Sequence, residues 1–285
     1  MLTDAHCHPF DLVRFFPGAE DERRRLKICC AASATDTEEF AYNENLVRQA
    51  VVDKAAGILP CFAIHPQLPA ARTNSGQRVT ENEMQKELDI LEGLAAQGRL
   101  AAVGETGFDL YNAAFRETEA VQDRLFAAHL ETALCHELPV IIHARRAMHK
   151  IFAAAKQLAK CKAVIFHSWP GTTGEGQALL RRGVNAYFSF GNTILLNHRE
   201  AMRCCAVFPV DRLLTETDAP FQPQRGQCFS HWADLPRIIE TAAILRHEAG
   251  LPAANIDELE NQIETNFCTA FPSCLESKCF CPALG

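Results

Sequence analysis

The chain predicts a (β/α)8 TIM-type barrel of the α/β class, and three observations carry that expectation. Eight short apolar runs of strand length alternate with longer amphipathic stretches over the 285 residues, the pattern of repeated βα units. The runs are apolar almost throughout, as strands covered by helices on both faces are. Histidines and carboxylates recur at their carboxyl ends, which converge on one face of a parallel barrel. An open doubly wound sheet is the competing arrangement, but no glycine-rich phosphate fingerprint follows an early strand.

The expected strands are "MLTD" at 1–4, "KICCAAS" at 27–33, "GILPCFAIHP" at 57–66, "LAAVGETG" at 100–107, "PVIIHA" at 139–144, "AVIFHS" at 163–168, "NAYFSFG" at 185–191 and "LLTETD" at 213–218. Between them, 35–55 opens with Thr35, Asp36 or Thr37 as caps and glutamates in its first turn, as a helix does. The segment 81–97 carries Met84, Leu88, Leu91, Leu94 and Ala95 at helical spacing, and 116–138 stops before Pro139. Further helices are expected at 146–160, 173–182, 197–206, 231–249 and 257–270. The stretch "PAARTNSGQRVT" at 69–80 reads as a long loop. With no repeat, low-complexity tract or linker, residues 1–271 form one domain and 272–285 a loosely ordered, cysteine-containing tail. Cys274, Cys279 and Cys281 of that tail fit no common zinc spacing.

Composition narrows the function. Hydrophobic residues make up 48% and charged residues 22%, enough for a substantial core. No apolar run approaches the roughly 20 residues of a membrane span, and the amino terminus lacks the basic flank and apolar core of a secretory signal. A cytoplasmic location is therefore expected, and the thirteen cysteines are expected to be reduced, with Cys29, Cys30 and Cys61 acting as small hydrophobes in strands. The formal charge of −7 argues against a broad basic face along duplex nucleic acid. A phosphate substrate remains compatible, because metal ions can supply positive charge inside a pocket.

The stretch "DAHCHPF" at 4–10 places Asp4, His6 and His8 within five residues. Side chains two apart on an extended segment point the same way, so His6 and His8 can face one ion while Cys7 turns aside. His65, Glu105, His143, His167 and Asp218 fall at the ends of the third, fourth, fifth, sixth and eighth runs. Four histidines (His6, His8, His143 and His167) with two carboxylates are too many for one tetrahedral ion. They suit two divalent ions about 3.5–4 Å apart, bridged by a carboxylate and a water. Glu105 is the expected bridge, flanked in "GETG" by glycines that allow close backbone approach. Asp218 is the expected ligand and general base toward the nucleophilic water. Arg145, two residues after His143, is placed to hold a phosphate, the alternative being a salt bridge at the rim. His65 contacts substrate, supports a ligand, or is structural. Trp169 either stacks on a base or packs a loop. His129, His136, His149, His198 and His247 fall in helical segments and receive no role.

Together, "DAHCHPF", "AIHP", "GETGFD", "PVIIHAR", "FHSWPG", "SFGNTILL" and "LLTETDAPF" resemble, in order and approximate spacing, the TatD-type metal-dependent deoxyribonucleases of the amidohydrolase superfamily. The likeness runs from the amino terminus to "NQIETNFCTAF" at 261–271. It implies a TIM-type barrel with a divalent metal centre, hydrolysing phosphodiester bonds of DNA by attack of a metal-activated water. It also implies His6, His8, Glu105, His143, His167 and Asp218 as metal ligands, with Glu105 bridging where many amidohydrolases carry a carboxylated lysine. Single-stranded DNA or strand ends are the implied partner, with no membrane and no obligate protein partner. Zn, Mn or Mg suit such donors. Three departures lie at the rim. Arg146 stands where the family often has Asp, Ser168 and Trp169 stand where it usually has Cys-Phe, and no Asn-Glu-Pro element follows the last strand. They bear on substrate more than on hydrolysis, and leave a small-molecule ester, lactone or amide as the alternative substrate.

Overall fold

The protein is described by a computed structural model, which covers residues 1–74, 80–253 and 255–273. Eight parallel strands form one sheet in sequential order: β1 (Thr3–Cys7), β2 (Cys29–Ala34), β3 (Ile58–Phe62), β4 (Ala102–Asp109), β5 (Val140–Arg145), β6 (Val164–Phe166), β7 (Ala186–Phe190) and β8 (Leu213–Thr215). Helices link successive strands and coat the outside, so the architecture is the expected single-domain (β/α)8 barrel. The register closes from β8 to β1 through the segment after β8. There Thr217 N–H donates to Asp4 Oδ1 at 3.0 Å, Asp218 N–H to the His6 carbonyl at 3.0 Å, and His8 N–H to the Ala219 carbonyl at 2.8 Å.

Alternation along the strands sorts side chains into two apolar layers. In β2, Cys30, Ala32 and Ala34 pack outward under the helices while Cys29 and Ala31 fill the barrel. In β5, Val140 and Ile142 face outward and Ile141 inward. The interior layer holds mainly small residues, including Ala5, Cys61, Ala102 and Ala163, and is plugged from below by Phe267 and Phe271 at the end of helix Ile256–Ala270. The ten cysteines among the described residues are free thiols, most of them buried, as small apolar residues.

Several expectations are revised. The stretch read as a long loop at 69–80 contains part of a helix, Leu68–Asn74, and residues 75–79 lie outside the described residues. The segment after "DAHCHPF" is helical at Pro9–Phe15, where Pro9 supplies a first helical position that needs no N–H donor, and again at Ala19–Leu26. His129, left without a role, is fully buried in helix Glu119–Cys135. Its Nε2 accepts the Ile64 N–H at 3.4 Å, so the proton sits on Nδ1, which donates to Thr106 Oγ1 at 2.5 Å. That ring ties the chain beyond β3 to β4. Burial alone lowers its pKa to about 3, and it stays neutral. Cys274, Cys279 and Cys281 lie outside the described residues. No described helix is long and apolar enough to cross a membrane.

Candidate metal centre

Regular alternation delivers half of the site. In β5, Ile141 points into the barrel, so His143 and Arg145 follow it on the same face, nearer the mouth. In β6, Ile165 points inward and His167 follows it. On β1 and β4 the simple alternation fails. Ala5 and Ala102 point inward, so strict period two would turn His6 and Glu105 away. Each strand carries a register irregularity at that place, between Asp4 and Cys7 and between Val103 and Thr106, which re-aims the next side chain into the barrel as bulges beside active sites do. His6 and His8 then face inward together, and Cys7 turns outward, its thiol donating to the Ala31 carbonyl at 3.6 Å. The glycines around Glu105 are required sterically. A Cβ on Gly104 would meet Ile141 Cβ at 2.5 Å, and one on Gly107, whose φ is +131°, would overlap the His143 carbonyl oxygen.

The two oxygens of Glu105 face two different donor groups. Its Oε2 lies 3.0 Å from His6 Nε2 and 3.6 Å from His8 Nε2. Those two nitrogens are 3.1 Å apart, and Asp218 Oδ1 lies 3.5 and 3.7 Å from them. Oε1 faces His143 Nδ1 at 2.7 Å, His167 Nε2 at 3.2 Å and His65 Nε2 at 3.3 Å. All six expected ligands therefore converge, and Glu105 lies between the two groups.

The far sides of the rings are also held. His167 Nδ1 meets Glu216 Oε1 at 3.1 Å, His143 Nε2 meets Asp109 Oδ2 at 3.2 Å, and His6 Nδ1 meets Ser33 Oγ at 3.2 Å. A carboxylate or hydroxyl behind an imidazole fixes its tautomer and leaves the other nitrogen's lone pair facing the site. His65 differs. Its Nδ1 accepts the Gln67 N–H at 3.2 Å, so the neutral ring carries its proton on Nε2, facing Glu105. It is a hydrogen-bond donor in the site, which agrees with its separation from the expected ligands. Asp218 Oδ2 accepts from Gln222 Nε2 at 2.6 Å, leaving Oδ1 toward His6 and His8.

Glu105, Asp109, Glu216 and Asp218 are all buried, and their ion-pair partners are histidines alone, with no described Lys or Arg within 4 Å. Burial by itself would raise the Glu105 pKa; the imidazoles of His65, His167 and His6 outweigh it and hold the carboxyl well below its ordinary range. Burial works against a charged His167, yet Glu105, Glu216 and Asp218 hold its pKa up to about 10. A buried acidic set of this kind requires cations. Imidazole and carboxylate donors converging on both sides of one carboxylate fit a pair of divalent ions.

Asp109 and Glu216 were not singled out in the sequence. Their only signals were position: Asp109 closes "GETGFD", and Glu216 stands two before Asp218 in "LLTETD". Asp4 departs from the site and takes the seam between β1 and β8, accepting from Thr217 Oγ1 at 2.6 Å. Trp169 packs its loop. It is 4% exposed, with its ring against Phe166 and Phe188 at 5.3 and 4.7 Å. The centre opens into a cleft of about 840 Å³ lined by Arg145, Phe221 and Gln222 among others.

The sequence profile of the TatD related DNase family matches residues 3–272. The chain is 26% identical over 283 residues to the uncharacterized metal-dependent hydrolase YcfH of Escherichia coli K12, covering 95% of each chain. It is 32% identical over 188 residues to the 3'-5' ssDNA/RNA exonuclease TatD of Shigella flexneri, covering 62% of this chain and 70% of that one. Among solved structures, the YJJV TatD homologue of Escherichia coli K12 shares the fold with a TM-score of 0.76 at 24% identity, covering 95% of this chain and 98% of that one. With its barrel, its converging donors and this match over nearly its whole length, the chain belongs to the TatD related DNase family of metal-dependent hydrolases.

Proposed function

We propose that this protein is a metal-dependent phosphodiesterase that trims single-stranded DNA from a strand end. The observation that carries the reading is the divided carboxylate of Glu105, one oxygen toward His6, His8 and Asp218 and the other toward His143 and His167. The first group with Glu105 would hold one divalent ion and the second group with Glu105 another; zinc, manganese and magnesium each suit part of this donor set. When bound, two such ions acidify the attacking water and neutralise charge on the phosphoryl oxygens.

The chain's own residues supply the remainder. Asp218, held through Oδ2 by Gln222, takes the proton of the water that attacks phosphorus in line. Arg145, at the edge of the cleft, compensates the charge that builds on the phosphoryl oxygens. His65 presents its Nε2–H toward the same space. Asp109 and Glu216 keep His143 and His167 oriented. The TatD relatives named as exonucleases degrade single strands with 3'-5' polarity, and that polarity is the expectation here. The cytoplasm, where a reducing environment keeps the buried thiols free, is the proposed location.

The test is cleavage of end-labelled single-stranded DNA by metal-reconstituted protein beside its Asp218→Asn variant. Metal-dependent trimming that falls about a thousandfold in the variant is expected. Intact DNA in the presence of folded, metal-loaded wild type would move the substrate to a small-molecule ester or amide. Wild-type turnover in the variant would remove Asp218 as the base.

A further inference from the structure

We propose that Arg116 and Arg146, gathered with Arg145 on Tyr111, form a second phosphate subsite. Its ligand is the phosphodiester next to the scissile one in a single-stranded oligonucleotide. The proposal deepens the phosphodiesterase reading above and rests on it.

In a chain with 35 acidic and 28 basic side chains, three guanidiniums collect at one point of the mouth. The Arg145 and Arg146 guanidinium carbons lie 3.7 and 4.6 Å from the centroid of the Tyr111 ring. Arg146 Nη1 and Arg116 Nη1 each donate to the Tyr111 carbonyl at 3.3 Å, and Arg116 also donates to the Leu110 carbonyl at 3.2 Å. None of the three has a carboxylate within 4 Å among the described residues, although other surface arginines do, such as Arg24 with Asp53 and Arg99 with Glu44. Nearby carboxylates do not serve them. Asp109 is turned toward His143, Gln67 and the Tyr111 N–H. Acidic groups without Lys or Arg thus lie deep in the mouth, and guanidiniums without carboxylates lie at its rim.

Crowding like charges on one ring is unfavourable unless an anion completes the group. The ring holds the guanidinium planes by cation–π contact, and their free N–H edges suit phosphate oxygens. The platform is fixed to the metal centre, because Tyr111 N–H bonds Asp109 Oδ1 at 2.9 Å and Leu110 N–H bonds the Arg145 carbonyl at 2.8 Å. Arg145 lines the cleft with His143, and Arg116 and Arg146 continue the positive charge outward from it. A substrate with one phosphate would meet only Arg145. One with several phosphates would also reach the outer pair. Tyr111 is 43% exposed, so the site is open to a strand.

The experiment compares two substrates of the metal-reconstituted protein: hexathymidylate, with several phosphates, and bis(p-nitrophenyl) phosphate, with one. In an Arg116→Ala/Arg146→Ala double variant, the ratio of kcat/KM for hexathymidylate to that for the small diester is expected to fall about tenfold, through KM. An Arg116→Lys/Arg146→Lys variant, which keeps the charge, should recover part of it. A binding arm uses fluorescein-labelled hexathymidylate and metal-loaded protein in an Asp218→Asn background. There the double variant should bind more weakly, with a salt slope shallower by about 0.7 for one lost phosphate contact. An unchanged ratio with equal binding overturns the subsite. So does an absence of measurable binding by the parent. If neither substrate is hydrolysed, the phosphodiesterase reading fails, and the binding arm still decides the anion site by itself.

Discussion

Below the level of Ile141 and Ile165 the barrel interior is apolar and closed; from His143 and His167 outward it is filled with ionisable groups. The lower half is packed by Ala5, Ala31, Cys61, Ala163 and Leu214 and sealed by Phe267 and Phe271, whose ring centroids lie 4.8 Å apart. The upper half brings five imidazoles around the one carboxyl group of Glu105. Packing density governs the floor, where each lost methylene leaves a void. At the mouth, orientation and charge compensation govern, and the backbone there accepts costs that the floor avoids. Arg146, Ser168, Asp218 and Gln222 all have positive φ, a conformation that costs a non-glycine residue of order 1 kcal/mol or more and collects at functional sites. The same eight strands thus carry a part built for stability and a part built for chemistry.

Substitutions at the two ends should separate these properties. The largest expected effect is at the mouth. Glu105→Gln should lower turnover more than a thousandfold, because several kcal/mol of transition-state stabilisation depend on its charge. Metal analysis should show fewer bound ions per chain, and two tightly held ions in that variant would break the assignment of Glu105 as the bridge. At the floor, Phe267→Ala should cost about 3–5 kcal/mol of stability in urea unfolding. Its turnover per folded molecule should stay near that of the wild type. A large loss of turnover there would show that floor and mouth are not independent.

Smaller effects sharpen the boundary. Glu216→Gln leaves the fold but loosens His167, so metal affinity or activity should fall about 10–100-fold. Metal affinity and turnover both at the wild-type level would show that Glu216 is not needed to orient the ring. The smallest effect concerns His129, just outside the mouth. Its pKa in the fold, about 3, lies below the ordinary value of 6.5, so the unfolded chain binds more protons between those values. Stability contributed by the neutral ring is present above pH 6.5 and is lost as the pH falls toward 3. At pH 5 the loss should be about 2 kcal/mol. Denaturant titrations at pH 7 and pH 5 measure it, and the same difference in His129→Gln would exclude this ring as its source.

How far each part was legible depends on how local its cause is. The βα alternation, the strand count and the inward direction of His143 and His167 follow from period two and apolar runs, which neighbouring residues set. The pairing of His6 with His8, and the glycines around Glu105, were legible for the same reason. The helix Leu68–Asn74 was missed because a run of small and polar residues carries little periodic signal. His129 was missed because a histidine in a helix shows its burial only when the facing strand is known. Asp109 and Glu216 were passed over because a carboxylate that supports an imidazole across the barrel has no fixed sequence distance from it: Glu216 meets His167 across 49 positions.

Sequence alone thus dictated the barrel, the end of it that bears the chemistry, and the residue types gathered there, since these arise from short-range pattern and from the direction of parallel strands. Folding in three dimensions decided the rest. Register irregularities in β1 and β4 turn His6 and Glu105 inward, Glu105 divides its oxygens between two donor groups, and arginines from separate segments meet on Tyr111. Those outcomes depend on inter-strand register and long-range charge compensation, which no single segment of the chain encodes.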